Sequence, residues 1–125
     1  MEFFIKKGAT LPLLKLNIVD NGRNDYNRFL STLDLSGILF SMTDVDSGLP
    51  KILNRPGGLG IDTKLSADSK YYIYYQFSET DTRKIGRYEA QFIVRNPDGT
   101  YIFPSGEKLF VNVVDSFIAD DIEIG

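Results

Sequence analysis

The sequence contains no cysteine and no histidine, and these two absences exclude several kinds of chemistry. Without cysteine there is no disulfide framework, no thiol nucleophile and no thiolate ligand for zinc or an iron–sulfur cluster. Without histidine there is no imidazole general base, no Ser-His-Asp triad and no His-ligated metal site. Hydrolysis by paired carboxylates stays possible in principle, but nothing in the sequence places two of them across a cleft. We therefore predict no catalytic residue, no metal, no cofactor and no enzymatic activity.

Long apolar runs and a strong charge bias are lacking as well. No run approaches the roughly 18 apolar residues of a transmembrane helix, and the region after Met1 has no signal-peptide core. A net charge of -3 gives no electrostatic footprint for nucleic acid or an anionic membrane. The 125 residues, 42% of them hydrophobic, suit one globular domain. We expect a protein made in a cytoplasm, with neither nucleic acid nor membrane as a partner.

Short alternating segments recur along the chain, and no convincing helix pattern appears. Apolar residues at a period of two predict strands at residues 3–5, 11–19, 38–42, 51–53, 71–77, 88–94, 100–103 and 108–114. Residues 27–35 fit either a short helical turn or an irregular edge. Seven to nine short strands at this spacing favour a sandwich over a barrel. The predicted fold is all-β, an immunoglobulin-like antiparallel β-sandwich.

The stretch from Tyr71 to Val94 is the most informative part of the sequence. Asp81, Gly86 and Tyr88, in that order before alternating apolar residues, are typical of the entry into the penultimate strand of an immunoglobulin-like sandwich. The inward row of that strand is predicted to be Tyr88, Ala90, Phe92 and Val94, with Glu89, Gln91 and Arg95 facing water.

The strand at residues 71–77 has aromatic residues on both faces. One face carries Tyr71, Ile73, Tyr75 and Phe77, and the other carries Tyr72, Tyr74 and Gln76. This indicates that the second face is also covered, by a neighbouring subunit or by the chain's own tail. The tyrosines could alternatively form a platform that stacks sugars or bases, although a core or a contact uses the same residues.

Two loops resemble ligand sites but are better explained as turns. Residues 44–48 have two alternating acids, as a calcium loop does, but lack the third ligand and the distant glutamate. The glycines at 57, 58 and 60 predict a bend or a close approach of another backbone more than a ligand loop. Residues 96–99 predict the turn of a hairpin.

The last eleven residues differ from the rest of the chain. They carry four acidic residues and no basic one, which leaves 14 basic and 13 acidic residues elsewhere. Ile122 and Ile124 alternate with Glu123, as in an added strand. Residues 1–114 are therefore predicted to form the sandwich, and residues 115–125 an acidic, apolar tail. The tail either folds over its own domain or pairs with the sheet edge of another subunit by β-augmentation.

A family resemblance follows from short motifs spread along the chain. They are Phe4 to Gly8, Pro12 to Leu16, Leu33 to Gly37, Tyr75 with Phe77, Asp81 with Thr82, Gly86 with Tyr88, Ala90 and Phe92, Asp98 with Gly99, Phe103 with Pro104, and Val111 with Val113. In this order the chain resembles the amino-terminal domain of tailed-phage baseplate upper proteins. The resemblance implies an immunoglobulin-like module that attaches fibres or receptor-binding proteins to a virion. Phe77 stands where that family often has tryptophan.

These observations predict a non-enzymatic bacteriophage virion structural protein. It would dock fibre, tail, baseplate or capsid components through its sheet edges and tail, and would form a homo-oligomer within the particle. Folding in a reducing bacterial cytoplasm agrees with the lack of disulfides. The predicted interface residues are Phe3, Phe4, Tyr72, Tyr74, Phe117, Ile118, Ile122 and Ile124. The alternative is a carbohydrate-binding or adhesive module that uses exposed tyrosines.

Overall fold

The computed structural model describes residues 1–18, 37–61, 71–97 and 99–115, and the strands in these ranges form two sheets. In chain order the strands are β1 (Glu2–Lys6), β2 (Leu14–Ile18), β3 (Ile38–Asp44), β4 (Pro50–Pro56), β5 (Gly58–Ile61), β6 (Tyr71–Tyr75), β7 (Gly86–Asn96), β8 (Gly99–Phe103) and β9 (Leu109–Val114). The larger sheet has the order β1-β9-β7-β3-β4, and β8 also pairs with β7. The smaller sheet has the order β2-β6-β5. The all-β prediction is confirmed.

The core lies between the two sheets and is rich in aromatic side chains. Phe40 of β3 stacks on Tyr75 of β6 with ring centroids 4.3 Å apart, and lies 5.0 Å from the ring of Phe92 in β7. Burying a large apolar side chain contributes about 1.5–3 kcal/mol to folding. The contact between Phe40 and Tyr75 therefore joins the two sheets as a sandwich.

The period-two alternation predicted the inward residues of β7 correctly. In β7 the buried residues are Tyr88, Ala90, Phe92 and Val94. Antiparallel pairing sets Ile38 opposite Val94 and Phe40 opposite Phe92, so the inward rows of β3 and β7 lie side by side. The predicted hairpin at residues 96–99 is also confirmed, because Asn96 pairs with Gly99 where β7 turns into β8.

The chain changes sheets at Gly57, between β4 and β5. The backbone N–H of Gly57 donates to the carbonyl oxygen of Ile38 at 2.8 Å. A Cβ atom at this position would lie only 2.7 Å from the carbonyl oxygen of Tyr74. Glycine is needed here because two backbones approach closely, as the glycine cluster predicted.

Three details of the predicted sandwich are wrong. The sandwich is not wholly antiparallel, since β1 pairs with β9 in parallel. Alternation fixes the face of a side chain but not the direction of a neighbouring strand. The strand entered through Gly86 is not the penultimate one, because both β8 and β9 follow it. The aromatic strand ends at Tyr75, although Phe77 beyond it is still only 1% exposed.

The interpretation of residues 27–35 and the two alternatives for the tail beyond Asp115 concern residues outside the described ones. Within the ranges that are described, no helix has the length and apolarity needed to cross a bilayer.

Candidate functional site

Strand β1 forms one border of the larger sheet. Among the described residues it pairs with β9 alone, so its outer edge meets no other described strand. Its side chains alternate, with Glu2, Phe4 and Lys6 exposed and Ile5 buried in the core. An edge of this kind can accept a further strand.

The backbone hydrogen bonds of β1 show which residues face outward. Phe110 donates its backbone N–H to the Met1 carbonyl, and Lys7 donates its own to the Val114 carbonyl. The odd residues of β1 therefore direct their backbone groups at β9. Since these groups alternate along a strand, Glu2, Phe4 and Lys6 direct theirs at the outer edge.

A network of side chains is fixed on the outer surface beside this edge. The Arg87 guanidinium donates to both carboxylate oxygens of Glu2, at 2.7 and 3.0 Å. Asn112 donates its side-chain amide to Glu2 at 2.9 Å and accepts a hydrogen bond from Arg87 at 3.1 Å. The guanidinium also lies 3.9 Å from the centroid of the Phe110 ring. Arg87 is thus held in one orientation although its side chain is 45% exposed.

The same contacts alter the acidity of Glu2. The hydrogen bond from Arg87, and then that from Asn112, lower the pKa of the Glu2 carboxyl below 4.5, because both favour the charged form. The bidentate pair is therefore intact at neutral pH.

The two predicted anchors in β1 have different surroundings. Phe4 is 60% exposed on the outer surface, and it lies opposite Asn112 in the register of β1 and β9. Phe3 points the other way, is half-buried against the core and stacks on Phe77 with ring centroids 6.0 Å apart. Of the two rings, that of Phe4 is the exposed one.

Tyr72 and Tyr74 lie on the outer face of the smaller sheet, and their rings cover a neighbouring strand. Each is paired with a glycine of β5, Tyr74 with Gly58 and Tyr72 with Gly60. A Cβ atom at Gly60 would lie 2.2 Å from the Tyr72 ring, and one at Gly58 would lie 2.5 Å from the Tyr74 ring. The rings therefore occupy the space above the two glycines.

The second aromatic face, which was predicted to be covered by a neighbouring subunit or by the tail, packs over the glycines of its own sheet. Aromatic side chains across from edge glycines protect exposed backbone in this way. Both rings remain half-buried rather than fully covered. They lie 6.0 Å apart, and the Lys15 ammonium is 4.8 Å from the centroid of the Tyr72 ring.

The other four predicted interface residues, Phe117, Ile118, Ile122 and Ile124, lie outside the described residues. The described chain ends close to β1. The Lys6 ammonium donates to the Asp115 carbonyl at 3.3 Å. The tail thus starts at the end of the edge strand.

A buried carboxylate at Asp81 is the site whose role sequence reasoning missed. Asp81 is 2% exposed and accepts hydrogen bonds from the Tyr75 hydroxyl at 2.8 Å, the Ser78 N–H at 2.9 Å and the Arg55 guanidinium at 3.3 Å. Burial, and then the hydrogen bond with Asp81, raise the pKa of Tyr75 to about 12. The only signal in the sequence was an acid between an aromatic strand and the next strand.

Next to Asp81, Thr82 links the start of the chain to this corner. Its hydroxyl donates to the Ala9 carbonyl at 2.9 Å, and its own carbonyl accepts the Gly8 N–H at 3.0 Å. These contacts stabilise the framework.

The acidic loop at residues 44–48 is a turn. Oδ1 of Asp44 accepts hydrogen bonds from the backbone N–H groups of Asp46 and Ser47 at 2.8 and 3.1 Å. The carboxylate therefore stabilises the backbone of its own turn. Beside the turn, Ser41, Thr43, Glu89 and Gln91 line part of an open depression of about 420 Å³. In the described part of the chain no three acidic side chains come together as a metal site requires.

Comparisons of this chain with protein-family models, curated proteins and solved structures found no match.

Proposed function

We propose that this chain is a non-enzymatic bacteriophage virion structural protein that docks fibre, tail or capsid components through its sheet edges and its carboxy-terminal tail. The proposed docking role rests on the surface around β1. There a strand edge that no other described strand covers lies beside the exposed Phe4 and the fixed Arg87. Aromatic residues and arginine are the side chains that most often dominate protein interfaces.

The fixed geometry of Arg87 favours recognition of a protein partner. Ordering a long side chain on binding costs about 0.5–1.5 kcal/mol. At this surface Glu2, Asn112 and Phe110 already hold the guanidinium in place. A partner that contacts it avoids most of that entropic cost.

The strand order supports an immunoglobulin-like framework for the proposed module. The run β9-β7-β3-β4 faces β2-β6-β5, which corresponds to the G-F-C-C′ and B-E-D sheets of such domains. Tyr88, two residues before Ala90, donates its hydroxyl to the Lys84 carbonyl at 3.0 Å. This is the geometry of the tyrosine corner that immunoglobulin-like domains have at the same strand.

The virion location comes from the resemblance to baseplate upper proteins. Asp81, Thr82 and Tyr88, which belong to the motifs that carry the resemblance, fix the corner between β6 and β7. Their contacts support a shared framework, while the edge of β1 supplies the contact surface.

Immunogold labelling tests the proposed function. An antibody against the purified chain is applied to virions produced from the genome that encodes it. We expect gold at one fixed position on each particle, and less than a tenth of that labelling for virions carrying the double variant Phe4→Ser/Arg87→Ala. The exposed Glu79→Gln serves as the matched control and should incorporate normally. Virions without label would contradict the proposal.

The second candidate, a carbohydrate-binding module, is favoured by one observation. Gly58 and Gly60 let the rings of Tyr74 and Tyr72 lie over β5, which gives a continuous aromatic surface beside Lys15. Aromatic faces stack on the C–H faces of sugars. A glycan array with the wild type and with Tyr72→Ala/Tyr74→Ala separates this role from docking, because binding lost in the variant would support it.

A further inference from the structure

We propose that the outer edge of β1 receives residues 116–125 of a second copy of this chain as an added antiparallel strand. This inference rests on the proposed function for its biological setting and deepens it by naming the partner of the edge. It follows from where the described chain ends, from the charges along β1 and from the sequence of the tail.

The tail leaves the sheet beside the end of β1. The Lys7 N–H donates to the Val114 carbonyl at 2.8 Å, and the Lys6 ammonium donates to the Asp115 carbonyl at 3.3 Å. Ten residues follow Asp115. At about 3.3 Å per residue, half of them match the length of β1 and the others can bridge to a neighbouring molecule.

One antiparallel register of the tail against β1 sets like beside like on the apolar face and opposite charges beside each other. It sets Ile122 opposite Ile5 and Ile124 opposite Phe3, so both isoleucines extend the apolar inner face of the sheet. The same register sets the acidic Asp121 opposite Lys6 and Asp120 opposite Lys7. Opposite charges in cross-strand pairs stabilise a sheet, and like charges destabilise it.

The charges also decide the direction of the added strand. A parallel strand that sets Ile122 opposite Phe3 and Ile124 opposite Ile5 would set Asp121 opposite Glu2. Glu2 is ionised at neutral pH, because its bonds to Arg87 lower the pKa of the carboxyl. The repulsion between the two carboxylates disfavours the parallel strand, and the antiparallel one remains.

The course of the backbone after β1 favours a tail from another molecule. After Lys6 the chain turns back tightly, since the Ala9 N–H donates to the Lys6 carbonyl at 3.0 Å and the Gly8 N–H donates to the Thr82 carbonyl at 3.0 Å. The molecule's own tail would have to cross this turn to reach the outer edge of β1, and connections rarely cross in this way. A tail from a second copy meets no such obstacle.

Charge reversal tests the pairing in trans by light scattering on full-length protein. We expect the wild type to associate as its concentration rises. Lys6→Glu/Lys7→Glu alone and Asp120→Lys/Asp121→Lys alone should each associate at least tenfold more weakly. An equimolar mixture of the two variants should recover association, because each edge then finds a tail of opposite charge. A monomeric wild type, or a mixture that stays monomeric, would overturn the proposal.

Amide hydrogen exchange gives a second readout without any substitution. The amides of Phe4 and Lys6 face the outer edge, so association should slow their exchange at least tenfold. The amides of Phe3 and Ile5, which face β9, serve as the internal control and should not change. Equal exchange of Phe4 and Lys6 at all concentrations would contradict strand addition. Both experiments use purified protein and therefore give an answer whether or not virions are labelled.

Discussion

At the residue scale, the carboxylate of Asp81 holds together the corner between β6 and β7. It receives hydrogen bonds from Tyr75, Ser78 and Arg55, and its side chain is almost wholly buried. A buried charge is tolerated only with partners of this kind, and removing it leaves them without an acceptor. Replacing one carboxylate oxygen of Asp81 should therefore be enough to destabilise this corner.

We expect Asp81→Asn to lower the free energy of unfolding by about 2–3 kcal/mol, because the charge that pairs with Arg55 is lost. It should also lower the pKa of Tyr75 from about 12 while leaving it above 10, since burial is the larger cause of the shift. Urea unfolding and tyrosinate absorbance measure the two effects. Glu79→Gln, an exposed acid in the same loop, is the control. An unchanged midpoint for Asp81→Asn would contradict this assignment.

A second prediction at this scale concerns the glycine beneath Tyr72. Gly60→Ala should destabilise the protein by about 1 kcal/mol, because the new methyl group displaces the ring. In a Tyr72→Ala background the same change should cost nothing, since the ring is no longer there. Gly106→Ala is the control, as a Cβ atom there meets nothing within 4 Å. Equal costs in both backgrounds would show that the ring does not depend on the glycine.

At the scale of the element, β1 is attached to the sheet by contacts with residues that are far away in the sequence. Glu2 pairs with Arg87 of β7 and with Asn112 of β9 across the outer surface. Phe3 and Ile5 pack inward on the core. The strand whose edge is proposed to bind a partner is thus fixed on both faces.

The attachment of β1 should depend on pH through Glu2. The folded state holds its carboxyl at a pKa below 4.5, so this stability is fully present above pH 4.5. It is lost as the pH falls through the lowered pKa, because the unfolded state binds the proton first. Urea unfolding between pH 6 and 3 should show a steeper loss for the wild type than for Glu2→Gln. Parallel curves for the two proteins would rule out this role for Glu2.

At the scale of the whole molecule, the two sheets meet through Phe40 and Tyr75, and both tyrosines of the interior are held neutral. Burial raises the pKa of Tyr75 to about 12, and burial together with the nearby charge of Asp44 raises that of Tyr88. Ionisation of either hydroxyl would place a charge inside the sandwich. The fold as a whole is therefore expected to lose stability as the pH rises above the ordinary pKa of tyrosine.

We expect the unfolding free energy to fall above pH 10, by up to about 1.4 kcal/mol per pH unit for Tyr75. Between pH 10 and about 12 the unfolded state loses its tyrosine protons while folded Tyr75 keeps its own. Urea unfolding across this range should give a shallower slope for Tyr75→Phe than for the wild type. An equal slope in both proteins would assign the loss to other groups.

The sequence by itself determined the class of fold and the side of each main strand. Alternation placed Tyr88, Ala90 and Phe92 inward, because the period of a strand is a local property of the chain. Glycine and asparagine placed the turns at residues 44–48 and 96–99 for the same reason. These features need no knowledge of which strands are neighbours.

Only the tertiary structure decided which strands are paired and in which direction. Distant parts of the chain are joined by the parallel contact of β1 with β9 and by the hydrogen bonds that Arg87 and Asn112 donate to Glu2. They are also joined where the tyrosine rings lie above Gly58 and Gly60. A period of two fits many partners and both directions equally well. The partners were chosen by the shape and charge of surfaces that exist only once the two sheets have formed.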